Sequence, residues 1–281
     1  MKKIGRIIVA FLPVLACFAL QVLVMFVMEI VLLFPAIMQS ITGNASYDEM
    51  MLLVNDQIMD NIMTIQIAAQ IAMLVVFGLW YYFAYGKKKR PETAKKPEGI
   101  HVVLIALMGL ILQFGLSSAL SLIENMAPKL FEHYNELMEL MGLGEMSLPV
   151  MIAVSIMAPL SEEVLCRGVI LRLAERVSPK FWVANVIQAL AFGILHGNLV
   201  QGTYAFLLGL LLGYIYGKYR NIWLCMLLHG AMNFSSFIVS PFYSMFPEES
   251  LMAVFIVVFV VSLPLFVLCF RPFVVKKQEV Q

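Results

Sequence analysis

The sequence predicts an all-α membrane protein, a polytopic bundle of about eight transmembrane helices whose N-terminus and C-terminus both lie in the cytoplasm. Of its 281 residues, 62% are hydrophobic and 13% are charged, whereas a soluble domain is about 45–50% apolar and about 25% charged. Its apolar runs reach the roughly 20 residues that a helix needs to cross the hydrocarbon core. Its basic residues collect in alternate loops, which sets the orientation.

Hydropathy divides the chain into eight apolar runs. No linker is long enough to separate a second domain, so we expect residues 1–281 to form a single membrane domain. The first run is about 28 residues long, roughly twice the apolar region of a signal peptide, and is therefore expected to be a retained helix. The predicted spans are 7–34, 64–85, 100–123, 148–171, 179–196, 203–216, 222–240 and 251–270.

The charged residues order these spans across the bilayer. If the N-terminus is cytoplasmic and every span crosses, the cytoplasmic loops hold all of the 19 Lys and Arg residues except Lys129 and Arg167. The opposite loops are acidic, and basic loops favour the cytoplasmic side. The sequence therefore predicts a multi-pass protein of the cell membrane, with the lipid bilayer as a partner and no nucleic acid.

Two local patterns concern packing. Apolar side chains recur at helical spacing through residues 129–142, opposite acidic ones, which predicts an amphipathic helix on the outer leaflet. Gly209, Gly213 and Gly217 recur every fourth residue in the sixth span. This pattern of small residues lets two helix backbones approach closely.

Residues 161–169, with the sequence SEEVLCRGV, place two carboxylates and a guanidinium within the fourth span. A charge at that depth costs about 2.5–3.5 kcal/mol on insertion scales, so it is expected to be paired or functional. Glu163 and Arg167 are four residues apart, about 40° from each other on a helix, in the order that favours an ion pair. Glu162 points elsewhere and keeps no local cation. It is therefore a candidate general base, or a hydrogen-bonded group that only joins helices.

The fifth span ends in a histidine that shares a stripe with other polar side chains. His196 lies four residues after Phe192, and counting back further brings Asn185 to the same stripe, with Gln188 beside it. These aligned residues predict that this face lines a wet cavity.

The seventh span repeats the arrangement, because His229 and Asn233 are four residues apart and share one face. Both can donate hydrogen bonds toward one point, and donors fixed in a low-dielectric site suit an oxyanion. Regular spans put His229 and His196 at different depths, so we expect the fifth span to tilt or to begin deep in the membrane. Pro159 is expected to break the fourth span and to shift Glu162 within it.

Together these motifs resemble the signature of the CAAX-protease and bacteriocin-processing (CPBP, or Abi) family of intramembrane proteases. They lie in residues 148–240, which we take as the catalytic core. The matching motifs are Glu162-Glu163-x-x-x-Arg167, Phe192-x-x-x-His196 and His229-x-x-x-Asn233.

The resemblance implies an intramembrane endopeptidase that hydrolyses a peptide bond of a membrane-associated or prenylated protein, or of a leader peptide. It implies that a glutamate activates water, that a histidine assists it, and that a histidine with an asparagine polarises the scissile carbonyl. In that order the implied catalytic residues are Glu162, His196, His229 and Asn233, with Glu163, Arg167 and Phe192 in support.

Glu162, His196 and His229 are also a zinc ligand set in residue type, and members of the family have been described both as metalloproteases and as glutamate proteases. No HExxH motif places two ligands on one helix face. We therefore expect a directly activated water and no cofactor, with zinc as the alternative. We also expect a water-accessible cavity that opens to the cytoplasm.

Two other classes of function use the same residues. In a non-enzymatic bacteriocin-immunity or membrane scaffold protein they would only join helices, and a proton-coupled transporter would use Glu162 and His196 as a relay. The sequence shows no long internal repeat of the kind common in such transporters. The protease remains the leading hypothesis, with a peptide or protein at the membrane as its substrate.

Overall fold

The computed structural model describes residues 3–43, 46–86, 96–142 and 146–274. These ranges are almost entirely helical and contain no strand, so the predicted all-α fold is confirmed. The helices are α1 (Lys3–Gly43), α2 (Tyr47–Asp60), α3 (Ile62–Gly86), α4 (Gly99–Met126), α5 (Glu132–Leu140), α6 (Leu148–Ala174), α7 (Phe181–Leu195), α8 (Leu199–Tyr219), α9 (Ile222–Tyr243) and α10 (Glu248–Phe270).

Seven of the described helices are long and apolar enough to cross a membrane. The predicted fifth span is the shorter α7, whose 15 residues reach about 22 Å at about 1.5 Å per residue. The polytopic bundle is therefore confirmed, with one short helix among its predicted spans. The cytoplasmic position of both termini stays a prediction.

α2 lies in a segment that the hydropathy pattern leaves as a loop. Its N-terminus is a capping box, in which the Ser46 hydroxyl accepts a bond from the Glu49 backbone N–H at 3.3 Å and the Glu49 carboxylate accepts one from the Ser46 N–H at 2.8 Å. This reciprocal pair satisfies two donors that a helix start otherwise leaves free. The spacing of Ser46 and Glu49 was the sequence signal for this helix.

α7 and α8 form a tight antiparallel hairpin. Gly197, at φ +70°, lies in the turn between them. A Cβ at Gly193 would stand 2.7 Å from the carbonyl oxygen of Gly202, and a Cβ at Gly209 would stand 3.0 Å from the Cα of Ala189. The prediction of close backbone approach is confirmed for Gly209, whereas Gly213 and Gly217 make room for the side chains of Asn185 and Phe181.

α6 continues through Pro159, so the predicted break at this residue is absent. Two π-helical segments, Ala153–Met157 and Val164–Ile170, interrupt its α-helical pattern instead. Because proline has no N–H, the carbonyls of the preceding turn lose a donor, and the helix widens there. The widening changes the direction of Glu162 relative to the start of α6.

Basic residues meet at one end of the bundle. Arg6 donates to the carbonyl of Arg176 at 3.0 Å, Arg176 donates to the Tyr85 hydroxyl at 3.3 Å, and Arg220 pairs with Glu175. Each basic residue belongs to a loop that the charge pattern assigns to the cytoplasm. We call this the basic end.

The predicted amphipathic helix is present as α5. Phe131, just before it, is buried, and Tyr134 within it forms a side-chain hydrogen bond with Tyr204 near the start of α8. This packing raises the pKa of Tyr134, because burial disfavours the phenolate. α5 therefore packs against α8 away from the basic end, and its seat on the outer leaflet stays a prediction.

Candidate active site

Glu163 is the centre of a buried ion cluster between α6 and α9. Its Oε1 accepts a bond from Arg167 Nη1 at 2.8 Å and one from His229 Nδ1 at 2.9 Å, and neither Glu163 nor Arg167 is exposed. The predicted Glu163–Arg167 pair is confirmed, whereas the bond to His229 joins residues too far apart in sequence for spacing to reveal it. Because an ionised carboxylate only accepts, His229 carries a proton on Nδ1 and directs Nε2 away from Glu163.

Glu162 lies on the other side of the same imidazole. Its Oε2 is 3.8 Å from His229 Nε2, beyond hydrogen-bond distance, and has no partner among the described residues. The side chain of Glu162 is 23% exposed, against 0% for Glu163. Of the two adjacent carboxylates, only Glu162 has exposed side-chain surface, although its Oε2 is itself buried.

Phe192 joins the two histidines. Its buried ring stands edge-on to His196, with centroids 4.9 Å apart, and to His229, with centroids 5.7 Å apart. The Arg167 guanidinium lies over the face of the same ring at 4.8 Å. His196 caps the end of α7, and its Nδ1 donates to the carbonyl of Phe192 at 2.8 Å, which leaves Nε2 free. His196 thus reaches the cluster through the ring of Phe192.

The cluster lies halfway along α8. Gly209 is the midpoint of this 21-residue helix, and its carbonyl accepts a bond from Arg167 Nη2 at 3.2 Å. About 15 Å of helix extends on either side, at about 1.5 Å per residue. Phe192, one turn before His196, lies at the level of Gly209. Its ring contacts both histidines, which the sequence places at different depths.

Asn233 supplies a donor to the widened part of α6. Its Nδ2 bonds to the carbonyl of Val154 at 2.9 Å. In a π turn that carbonyl would pair with the N–H of residue 159, and Pro159 has none. Asn233 replaces the missing donor and keeps a second amide hydrogen for another acceptor. Its role at a substrate carbonyl stays a prediction.

Asn185 and Gln188 do not line a wet face, because both are fully buried between α7 and α8. Gln188 Nε2 donates to the carbonyl of Gly209 at 2.8 Å, and Asn185 Nδ2 donates to the carbonyl of Leu210 at 3.0 Å. The predicted cavity lining is therefore wrong for these two residues, since small residues on α8 let the helices close over them.

The residues around Glu162 differ between the basic end and the end near α5. Toward the basic end the core is filled by buried apolar side chains, among them Ile170 and Ile215. Toward α5, Tyr204 lies within electrostatic range of Glu162 and hydrogen-bonds to Tyr134. Polar groups thus continue from the cluster in the direction of α5.

Glu162, His196 and His229 are the residues of the zinc alternative, which stays a prediction. In the part of the chain that the structure describes, no group of three or more His, Cys, Asp or Glu side chains is arranged to hold a metal ion. Glu162 Oε2 and His229 Nε2 are 3.8 Å apart, and the His196 ring packs edge-on against Phe192. A zinc ion requires its ligand atoms at about 2.0–2.3 Å.

Residues 144–235 match the protein-family model described as Rce1-like, the type II CAAX prenyl endopeptidase Rce1-like family. The matched range contains the whole cluster around Glu163, with its partners from α7 and α9. No curated protein and no solved structure matches the chain.

Proposed function

Since the chain carries a domain of the CAAX protease (CPBP) family in residues 144–235, we propose that it is an intramembrane endopeptidase in which Glu162 activates the attacking water. The family supports endopeptidase activity in general. The observation that carries the assignment to Glu162 is its partial exposure 3.8 Å from His229 Nε2, while Glu163 holds the other nitrogen of the same ring.

The proposed charge balance of the cluster includes one added proton on His229. Glu162 and Glu163 bring two negative charges when ionised, Arg167 brings one positive charge, and protonation of His229 makes the sum zero. Uncompensated charge is costly in a low-dielectric interior, so the neutral sum is favoured. A proton on His229 leaves Glu162 ionised and able to take a proton from water.

In the proposed reaction Glu162 takes a proton from a water molecule as the water oxygen bonds to the scissile carbonyl carbon. The electron pair of the C=O bond moves to its oxygen, where His229 Nε2–H and the second amide hydrogen of Asn233 stabilise it. The C–N bond then breaks, and Glu162 passes its proton to the leaving amine. His196, next to Phe192, assists by orienting the water.

The position of the cluster halfway along α8 favours a substrate that is itself held in the membrane. We propose a membrane-associated or prenylated protein, or a leader peptide such as that of a bacteriocin precursor. Each brings a peptide bond to the membrane by means of a lipid chain or an apolar segment.

Cleavage of a prenylated peptide and of a leader peptide by the purified protein in lipid vesicles tests the assignment. Glu162→Gln keeps the size of the side chain and removes the base, so we expect turnover to fall by about 10²- to 10⁴-fold. Glu29→Gln changes a half-buried glutamate in α1 and is expected to leave turnover unchanged. Full turnover in Glu162→Gln would reject Glu162 as the base. No cleavage by the unaltered protein would favour an immunity or scaffold protein, in which these residues only join helices.

Hydrolysis without a metal is a separate proposal. It is supported by the distance of 3.8 Å between Glu162 Oε2 and His229 Nε2 and by the packing of the His196 ring against Phe192. We expect activity to survive treatment with a zinc chelator followed by dialysis, with no zinc detected by elemental analysis. A loss of activity that zinc alone restores would contradict it.

The predicted cytoplasmic opening of the cavity is tested by labelling Glu162→Cys in sealed vesicles with a thiol reagent that does not cross the membrane. Asn198→Cys and Lys218→Cys, at opposite ends of α8, serve as references for the two sides. Labelling of Glu162→Cys from the same side of the membrane as Lys218→Cys supports an opening at the basic end, which the charge pattern assigns to the cytoplasm. Labelling together with Asn198→Cys would assign the entrance to the α5 side, where Tyr204 lies.

A further inference from the structure

The carbonyl of Gly209 accepts hydrogen bonds from two other helices. Arg167 Nη2 on α6 donates to it at 3.2 Å, and Gln188 Nε2 on α7 donates to it at 2.8 Å. Both donors reach a backbone oxygen inside α8 because Gly209 has no side chain and the backbone at Ala189 lies against it. One peptide oxygen therefore connects α7 to the ion cluster.

Gln188 is held in one orientation by its neighbour on α7. Its Nε2 also donates to Asn185 Oδ1 at 2.7 Å, and Asn185 Nδ2 donates to the carbonyl of Leu210 at 3.0 Å. Since Asn185 Oδ1 can only accept, the nitrogen of Gln188 faces both Asn185 and Gly209. Both side chains are fully buried, so neither can touch a substrate.

Arg167 connects the carbonyl of Gly209 to Glu163 and, through Glu163, to His229. Its guanidinium is held by Gly209, by Glu163 and by the face of Phe192, while its Nε has no hydrogen-bond partner among the described residues. The same Oε1 of Glu163 that receives Arg167 also receives His229 Nδ1. A shift of the guanidinium therefore shifts the carboxylate that orients His229.

We propose that Gln188 is a positioning residue for the hydrolytic reaction. It holds the Gly209 carbonyl against Arg167, and through Arg167 and Glu163 it keeps His229 Nε2 directed at Glu162. This inference rests on the proposed function, because the atom that it positions is the proposed oxyanion donor.

Gln188→Leu, which keeps the bulk of the side chain without its donors, tests the proposal. Gln188→Asn is a second variant in which the amide is one methylene too short to reach Gly209. Ser118→Ala is the matched control, since it removes another buried bond between helices, Ser118 Oγ to the Tyr243 hydroxyl at 2.5 Å, far from the cluster. The first readout is the split between kcat and KM. A misplacement of reacting groups by about 1 Å can lower the rate by about 10²-fold, so we expect kcat to fall by about 10- to 100-fold with KM unchanged.

The second readout does not depend on activity. The chain has 4 histidines, so ¹⁵N-histidine labelling yields a small set of imidazole signals, and His229→Gln identifies the signal of His229. We expect both Gln188 variants to shift this signal and Ser118→Ala to leave it in place.

Unchanged His229 signals in the two Gln188 variants would overturn the inference, whatever the activity. A fall in kcat that Ser118→Ala reproduces would also overturn it, because the loss would then follow from general destabilisation. A shift of the His229 signal together with full turnover in Glu162→Gln supports the positioning link and rejects the proposed base.

Discussion

Replacing Glu163 with glutamine removes the charge that Arg167 and His229 share. Glu163 and Arg167 are both 0% exposed, and their bond of 2.8 Å is the only ion pair that Arg167 makes among the described residues. Removing one partner of a buried pair costs about 3–5 kcal/mol, because the other charge stays buried without compensation. Arg167 keeps its bond to Gly209 and its place over Phe192, but neither carries a full charge. We therefore expect Glu163→Gln to lower the free energy of unfolding by about 3–5 kcal/mol.

Reversible unfolding in mixed micelles, followed by helical circular dichroism, measures this loss. Glu175→Gln is the matched control, since the Glu175 carboxylate is 26% exposed and its pairs with Arg172 and Arg220 are expected to contribute about 0–1 kcal/mol. The double change of Glu163 and Arg167 to leucine removes both charges and should recover most of the stability without recovering activity. An equal loss in Glu163→Gln and Glu175→Gln would refute the reasoning that the Glu163–Arg167 pair is removed from water.

Three further predictions concern other parts of the chain. Gly213→Ala places a methyl group against the Asn185 amide and should lower stability in the same unfolding assay, whereas Gly78→Ala, with no atom within 4 Å, should not. Asn233→Ala should lower kcat by about 10²- to 10³-fold with KM unchanged, and a change in KM alone would reject its role at the oxyanion. The backbone N–H that caps α2 lowers the pKa of Glu49, so the contribution of this cap is present above the usual carboxyl pKa and is lost as pH falls through the lowered value. The protection factors of the α2 amides, which are exchange rates corrected for the intrinsic rate at each pH, should fall over that acid range and stay constant above it.

The bundle was predictable because each long helix must satisfy its own backbone groups in a membrane and must present an apolar surface to lipid. Hydropathy therefore located α3, α4, α6, α8, α9 and α10 within a few residues of their bounds, whereas α1 continues to Gly43, beyond its predicted end at residue 34. α2 escaped the same criterion because Asp48, Glu49, Asp56 and Asp60 interrupt its apolar residues. A local capping pattern, rather than hydropathy, was the signal there.

The candidate site was predictable only where its contacts are local. The four-residue spacing of Glu163 and Arg167 fixes an ion pair on any helix, and the π segment at Val164–Ile170 did not separate them. The bond between Glu163 and His229 depends on how α6 and α9 pack, and no spacing encodes it. Polar residues on α7 predicted a cavity because a helical projection shows which residues share a face, without showing how closely α8 packs on that face.

The contrast between Glu162 and Glu163 follows from these contacts rather than from residue type. Arg167 and His229 both donate to Oε1 of Glu163, and the whole side chain of Glu163 is removed from water, so this carboxylate compensates the buried charge of Arg167. The side chain of Glu162 is partly exposed and makes neither of these two bonds, so a change at Glu162 leaves the bonds to Glu163 in place. The buried carboxylate therefore orients His229, and the partly exposed carboxylate is the one that we propose as the base.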